Sequence, residues 1–160
     1  MNRRSFLLRS GAALAGAPVL ASLTARAQSS SADRVVKTPD EWRKVLTQEQ
    51  FYILREEGTE RPGSSPLNAE KRKGTFVCAG CALPLFTSDT KFESGTGWPS
   101  FYAPISGAVA TKVDYKLIAP RTEYHCRRCD GHQGHVFDDG PKPTGLRYCN
   151  NGVAIKFVAT

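Results

Sequence analysis

The sequence predicts a mainly β domain: antiparallel strands with long connections, short helices on the N-terminal side and a metal site of two cysteine knuckles. Three observations predict it. From Gly74 onward, stretches rich in Val, Ile, Phe and Tyr (TFVC, AVATKVDY, EYHC, GHVF, LRYC, GVAIKFVA) alternate with Gly, Pro, Asn and Asp, the texture of antiparallel strands and turns. Two C-x-x-C pairs, Cys78 with Cys81 and Cys126 with Cys129, each follow a strand-like stretch, with 44 residues between Cys81 and Cys126. Two helix-start signatures, at Thr38 and Thr47, precede the first strand.

The N-terminus carries an address. MNRRSFLLRS places Arg3 and Arg4 ahead of Ser5-Phe6-Leu7, and GAALAGAPVLASL leads to Ala25-Arg26-Ala27. A positive start, a short apolar middle and a small-x-small end make an export signal. The twin arginine and the mild Gly- and Ala-rich middle indicate the twin-arginine route. A membrane span needs about 20 strongly apolar residues, whereas this run is short and contains Gly16 and Pro18. We therefore read residues 1–27 as a signal cleaved after Ala27, the mature protein as periplasmic, and no stable membrane association. Residues 28–37 read as a flexible leader and 38–160 as one domain. The signal holds four of the 22 Lys and Arg and none of the acids, so the mature chain has 18 basic and 15 acidic residues, a net of +3 rather than +7. With no basic block, that excess gives no reason to expect a nucleic-acid partner.

In TPDEWRKVL, Thr38 can cap a helix with Pro39 at its first position and Glu41 completing a capping box. Thr47 and Gln50 repeat the arrangement in TQEQFYILREEGTE, with Gly58 as the stop and Phe51, Tyr52 and Leu54 as the packing face. Both helices are expected on the outside of the domain. ERPGSSPLN (60–68) and GPKPTG (140–145) read as loops or turns.

Each C-x-x-C pair sits on a turn after a strand, and two such knuckles brought together offer four thiolates in a tetrahedron, which suits zinc. Cys78, Cys81, Cys126 and Cys129 would fill every position, so such a zinc is structural. Two local disulfides or a redox pair compete with this reading, since the periplasm is oxidising. Against the redox pair, neither motif opens a helix in a βαβ unit. The fifth cysteine, Cys149, has no companion. If LRYCNNGVAIKF is one strand, Arg147, Cys149 and Asn151 share a face that continues into Val153, Ile155 and Phe157. The guanidinium would favour the nucleophilic thiolate, and Asn151 could hydrogen-bond a substrate or an imidazole. A lone cysteine is commonly a small buried hydrophobe. Here His132 and His135, in GHQGHVFDDG just after the second knuckle, add a potential acid to a potential nucleophile. SGTGWPSF (94–101) is a glycine-flanked loop displaying Trp98.

Together VCAGC, KFESGTGWPSF, HCRRCDGHQGHVFDDGPKPTGLRYCNN and VAIKF resemble the B-type methionine sulfoxide reductases, over roughly Thr38 to Phe157. The resemblance implies two antiparallel sheets, a structural zinc remote from the catalytic centre, and reduction of the R epimer of methionine sulfoxide, chiefly in oxidised proteins. It implies Cys149 as nucleophile, His135 as acid or orienting imidazole, Asn151 as the nearby amide and Trp98 as the indole against the substrate methyl. His132, Asp139 and Arg147 match residues lining the site, and Phe101 stands with Trp98 as substrate-binding surface. In many members the residue at Thr96 is a cysteine that resolves the sulfenic acid. Its absence predicts an external thiol, a thioredoxin-like protein or a small molecule, as reductant. Two alternatives remain at this stage: a non-catalytic zinc-ribbon module that binds peptides, and a thiol peroxidase at Cys149.

Overall fold

The computed structural model describes residues 33–160. The signal, its cleavage point and residues 28–32 of the leader lie outside the described residues. Both helices start as expected. At α1 (Pro39–Val45) the Glu41 N–H donates to Thr38 Oγ1 at 3.3 Å, and the Thr38 N–H donates to the Glu41 carboxylate at 2.7 Å. Thr47 and Gln50 repeat the reciprocal pair at α2 (Gln48–Glu56), so orphan N–H groups at both starts are satisfied.

Three expectations about this region need correction. The packing face of α2 is Phe51, Ile53 and Leu54, and Tyr52, a turn of about 100° away from Phe51, is 49% exposed. The left-handed residue ending α2 is Glu57 (φ 55°), one place before Gly58. Both helices keep an exposed outer face, as expected, and send their apolar residues inward. Trp42, Leu46, Phe51, Ile53 and Leu54 belong to the main core, and Leu54 packs on Gly80 and Gly131, one glycine beside each knuckle. Arg55 lies over Trp42 and donates to the Cys129 carbonyl at 2.9 Å. The end of the expected leader is also tied down: the Val35 N–H donates to the Arg128 carbonyl at 2.8 Å, and Arg34 pairs with Asp130.

The strands follow as β1 (Gly74–Cys78), β2 (Pro84–Thr87), β3 (Lys91–Phe92), β4 (Ser100–Phe101), β5 (Val109–Asp114), β6 (Arg121–Cys126), β7 (His132–Phe137), β8 (Arg147–Asn150) and β9 (Ile155–Ala159). They form two antiparallel sheets, one ordered β2-β1-β9 and the other β3-β4-β8-β7-β6-β5. Between the sheets Phe76 and Phe86 meet Phe101, with ring centroids 4.9 and 4.2 Å apart. Tyr124 and Tyr148 close the layer edge-on at 5.2 Å. Each fully buried phenylalanine contributes roughly 1.5–3 kcal/mol.

LRYCNNGVAIKF is not one strand. β8 stops at Asn150, a 3-10 turn spans Gly152–Ala154, and β9 joins the other sheet. The cause is Glu60, a buried residue whose carboxylate accepts the N–H groups of Gly152 (2.6 Å) and Val153 (2.9 Å). Those donors are satisfied off the ladder, so the chain leaves the sheet. Side-chain alternation therefore joins Arg147 to Cys149 but does not extend to Asn151, Val153, Ile155 or Phe157.

The β7–β8 pairing is unusually close at Gly134: a Cβ there would fall 1.9 Å from the Cys149 carbonyl oxygen. Gly134→Ala is therefore expected to prise the two strands apart, lowering stability by about 1–3 kcal/mol in urea denaturation and slowing alkylation or turnover at Cys149. Wild-type stability would refute the close packing.

Candidate active site

Antiparallel register builds the site. On β7 and β8 His135 lies directly opposite Cys149, and on β4 and β8 Ser100 lies opposite the same cysteine. Directly opposed residues share a face with Cβ atoms about 4.5–5.5 Å apart. The thiol thus stands between an imidazole and a hydroxyl that two neighbouring strands deliver. Together with Trp98, Asn151, Arg121 and Phe137, His135 and Cys149 wall a cavity of about 120 Å³.

Burial pushes the Cys149 thiol above its ordinary value, while the Arg147 guanidinium and the Thr96 hydroxyl pull the other way without prevailing. The guanidinium favours the thiolate as expected and offsets desolvation in part, while burial keeps the resting group a thiol. Arg147 is itself engaged, with bidentate bonds to Asp139 at 2.7 and 2.9 Å and its plane over the Phe137 ring. Asp139 acts on the site chiefly by holding Arg147, and its charge adds slightly to the rise of the Cys149 thiol.

His135 Nε2 lies 2.8 Å from Asp114 Oδ2. The Lys116 N–H, with His135 and Arg121 after it, holds the Asp114 carboxyl well below the ordinary range against the opposing effect of burial. The carboxylate is an acceptor only, so Nε2 carries the hydrogen and Nδ1 keeps its lone pair. Burial lowers the imidazole below its ordinary 6.5, and Asp114 opposes that shift. The pair therefore rests as a neutral thiol and a neutral imidazole whose conjugate acid has a carboxylate waiting for it. Such a set can pass the thiol proton to the ring and then onward to a bound oxygen.

His132 is fully buried behind this pair. Its Nδ1 contacts Glu123 at 2.7 Å and its ring meets His135 edge-on at 5.5 Å. A bulge makes this possible: Tyr124 faces Gly134 and His125 faces His132, leaving Gln133 extra. Both histidines thereby reach the Glu123 side of the sheet, while the Gln133 side chain turns to Cys78. His132 supports His135 and does not wall the cavity.

Two more expectations shift. Phe101 is fully buried and stacked on Phe86. Its neighbour Ser100 takes the Cys149 side of β4, so alternation sends Phe101 into the core rather than to substrate. The Asn151 amide spends both ends on backbone, accepting the Glu60 N–H at 3.0 Å and donating to the Gln133 carbonyl at 3.0 Å. It walls the cavity but binds no imidazole. Trp98 does face the cavity, with its Nε1–H on the Glu60 carbonyl at 3.2 Å. Its loop is held by a hydroxyl chain, Thr96 to Ser94 to Ser100, each link 2.8 Å. Sequence reasoning missed Glu60, Asp114 and Arg121. For the last two, their bracketing of a turn between two strand-like stretches was the available signal; for Glu60 there was none.

The two knuckles are copies of one turn. The N–H groups of Ala82 and Asp130 return to the carbonyls of Cys78 and Cys126 at 2.8 and 2.9 Å. Both residues are left-handed, with φ 59° and 54°. A left-handed alanine is strained, and persists only where its surroundings fix it. The four sulfurs lie within 4.8 Å of one another, with Cys78–Cys129 at 3.7 Å and Cys81–Cys126 at 3.5 Å. A Zn–S length of about 2.3 Å would separate tetrahedral thiolates by about 3.8 Å, so the donor set fits a tetrahedral metal ion. All four cysteines are free of disulfides.

Comparison with known proteins agrees with this geometry. A SelR domain matches residues 46–159. Peptide methionine sulfoxide reductase MsrB of Methanosarcina barkeri is 56% identical over 124 residues, covering 77% of this chain and 87% of its own. The same-named protein of Leptospira interrogans is 52% identical over 124 residues, covering 77% and 95%. That of Pseudomonas putida (strain GB-1) is 54% identical over 123 residues, covering 76% and 94%. With the domain match spanning most of its length and relatives this similar, the chain belongs to the SelR family, the B-type peptide methionine sulfoxide reductases.

Proposed function

We propose that this protein reduces the R epimer of methionine sulfoxide, chiefly in oxidised proteins, through a Cys149 sulfenic acid that an external thiol regenerates. The observation that carries the reading is the cross-strand pair of Cys149 and His135 inside a cavity walled by Trp98. The sulfoxide S-methyl group packs on the indole, with its oxygen toward the imidazole. Cys149 passes its proton to His135 Nδ1, and Asp114 stabilises the imidazolium. The thiolate then attacks the sulfoxide sulfur while the imidazolium protonates the oxygen, general-acid work suited to this residue. The transient Sγ–S bond breaks as the hydroxyl passes to Cys149 Sγ, and that bond's electron pair leaves on the methionine sulfur. Oxygen leaves the substrate for Cys149: the sulfoxide is reduced to methionine and the thiol is oxidised to sulfenic acid. No outside proton is consumed in this half.

An external thiol then condenses with the sulfenic acid, releasing water and forming a mixed disulfide. A second thiol displaces Cys149 and carries away the disulfide. Thr96 supports this route, because a hydroxyl at this position, whose influence reaches the Cys149 thiol, cannot form a disulfide with it. The ion held by Cys78, Cys81, Cys126 and Cys129 is zinc on this reading; with four protein ligands it supplies cohesion and takes no part in turnover. Residues 1–27 support export by the twin-arginine route to the periplasm.

Anaerobic single turnover of the reduced protein should release one methionine per chain from the R epimer, none from the S epimer, with a trappable sulfenic acid at Cys149, and nothing from Cys149→Ser. Release from both epimers would sink the stereochemical assignment. Thr96→Cys should convert the product to an internal disulfide, read as two thiols lost per turnover in place of one. Failure to form it would mean that position 96 does not reach Cys149. The pH profile follows from the two directions. Protonating His135 removes the base, and ionising Cys149 removes the shared proton. The single-turnover rate should therefore fall on the acid side below the ordinary imidazole value of 6.5 and on the alkaline side above the ordinary thiol value of 9.0. A rate that climbs continuously through pH 9 would show that thiolate alone limits the reaction.

A further inference from the structure

The cavity at Cys149, about 120 Å³, admits one side chain. The backbone and flanking residues of a protein substrate must therefore lie on its rim. On the His135 side that rim is the β5–β6 hairpin. Asp114 and Arg121 form its last cross-strand pair. Asp114 bonds His135, Arg121 bonds Asp114 at 2.5 Å, and Arg121 also walls the cavity. Beyond that pair the chain turns through residues 115–120, and there Tyr115 is 74% exposed, Leu117 58% and Ile118 fully exposed.

These side chains are not a loose tip. Lys116, the one charged residue among 115–120, is drawn back to Glu57 at 2.7 Å, and Lys112 of β5 pairs with the same carboxylate. Glu57 is the left-handed residue closing α2, so the hairpin is tied to a core helix, and the one carboxylate offsets one of the two lysine charges. With Lys116 drawn back, what stands at the rim is an apolar platform. Clustered apolar surface of this kind marks an interaction site, and covering it is favourable by roughly 25 cal/mol per Å².

Resting on the reading that the site reduces protein-bound methionine sulfoxide, we propose that Tyr115, Leu117 and Ile118 dock the unfolded polypeptide on either side of the oxidised methionine. The enzyme thereby selects sulfoxides set in apolar, core-derived sequence. Continuity with the cavity argues for this occupant: the hairpin's base is the group that holds His135, so whatever covers its tip adjoins the reacting residue. A second copy of the chain seated there would crowd the mouth of the cavity. The one positive charge that Lys112, Lys116 and Glu57 leave is far short of the polybasic cluster that an anionic lipid surface recruits. The substrate chemistry also fits. Oxidation makes a buried methionine polar and disrupts its core, and the chain so released presents apolar neighbours.

The test is a titration of fluorescent peptides of one length, each with a central methionine R-sulfoxide flanked either by Leu, Phe and Val or by Ser, Gln and Asn. They are titrated against full-length Cys149→Ser protein with the hairpin intact or carrying Leu117→Ser and Ile118→Ser. Both substituted side chains are exposed, and circular dichroism and metal content verify folding. The apolar peptide should bind the intact hairpin about tenfold tighter or more, and the double substitution should erase most of that preference without weakening the polar peptide. In protein with Cys149 the same change should raise KM for the apolar peptide and leave turnover of N-acetylmethionine sulfoxide untouched. Equal affinity for the two peptides, or a preference that survives the substitution, overturns the proposal. So does a dimer in sedimentation that the substitution dissolves without altering peptide preference. Absence of N-acetylmethionine sulfoxide turnover would count instead against the reductase reading, and the binding titration decides the platform independently of it.

Discussion

The register of β7 against β8 is the constraint on which the site depends. A slip of one residue would send either Cys149 or His135 to the opposite face of the sheet, and no side-chain adjustment could restore the pair. Three features fix that register. Gly134 brings the backbones too close for any side chain. Gln133, whose side chain the bulge in the β6–β7 ladder turns aside to Cys78, accepts the Asn151 N–H on its carbonyl at the end of β8. Glu60 ends β8 one residue after the cysteine by capturing the N–H groups of Gly152 and Val153. The cysteine cluster enters here as well. Cys78 ends a strand of the smaller sheet and Cys126 a strand of the larger one, so an ion held by four thiolates joins the two sheets at one end. A hydrogen-bonded path leads onward: Gln133 Nε2 to Cys78 Sγ, Asn151 to the Gln133 carbonyl, the Glu60 N–H to Asn151, and the Trp98 indole to the Glu60 carbonyl. The metal site and the indole are remote in role but belong to one framework.

Electrostatics in the cavity balance burial against a few fixed charges. Desolvation raises the thiol and lowers the imidazole, and each shift favours the neutral form. Arg147 and Asp114 moderate those shifts, and Asp139 and Arg121 satisfy the moderators in turn. Reactivity of a thiol toward peroxide follows its thiolate fraction, so a cysteine held neutral at rest is a poor fit to the peroxidase reading. It is a good fit to a reaction in which the substrate's own polar oxygen draws the proton across. The same arrangement gives the isolated nucleophile a measure of protection between turnovers.

Much of the fold was legible because it is written in local chemistry. Both capping boxes, both knuckles and most strand positions follow from hydrogen-bonding groups and side-chain shapes a few residues apart. Cys149, His135 and Trp98 were legible as a set because each stands in a short, chemically unusual segment. What failed was set by distant partners. Phe101 looked like pocket surface beside Trp98 until the pairing of Ser100 with Cys149 fixed the alternation of β4. The break after Asn150 depends on a carboxylate about ninety residues earlier in the chain. The pull of Arg147 toward the thiolate was legible, but the net shift at Cys149 was not, because sequence shows the neighbouring arginine and not the depth of burial, and burial is the larger effect. The turn that Asp114 and Arg121 bracket could be seen, but nothing near them in sequence names His135 as their partner.

The geometry also orders the two halves of the proposed reaction. One sulfur would carry both chemistries, and among the described residues it lines a cavity of about 120 Å³. Trp98, His135 and Asn151 wall that cavity on several sides, while the opposite side of β4 and β8 is closed by the aromatic layer of Phe86, Phe101 and Tyr148. A thiol reductant cannot approach Cys149 from behind, so it must enter where methionine has just left. Thr96 has a part in this beyond withholding a second thiol. Its hydroxyl opposes the rise of the Cys149 thiol and bonds the Ser94–Ser100 chain, so the loop that carries Trp98 is held beside the nucleophile. A cysteine here would let an internal attack precede the arrival of any partner. With threonine, product release and reductant entry compete for the same space, which makes the scheme a ping-pong sequence in which excess sulfoxide inhibits by occupying the oxidised enzyme.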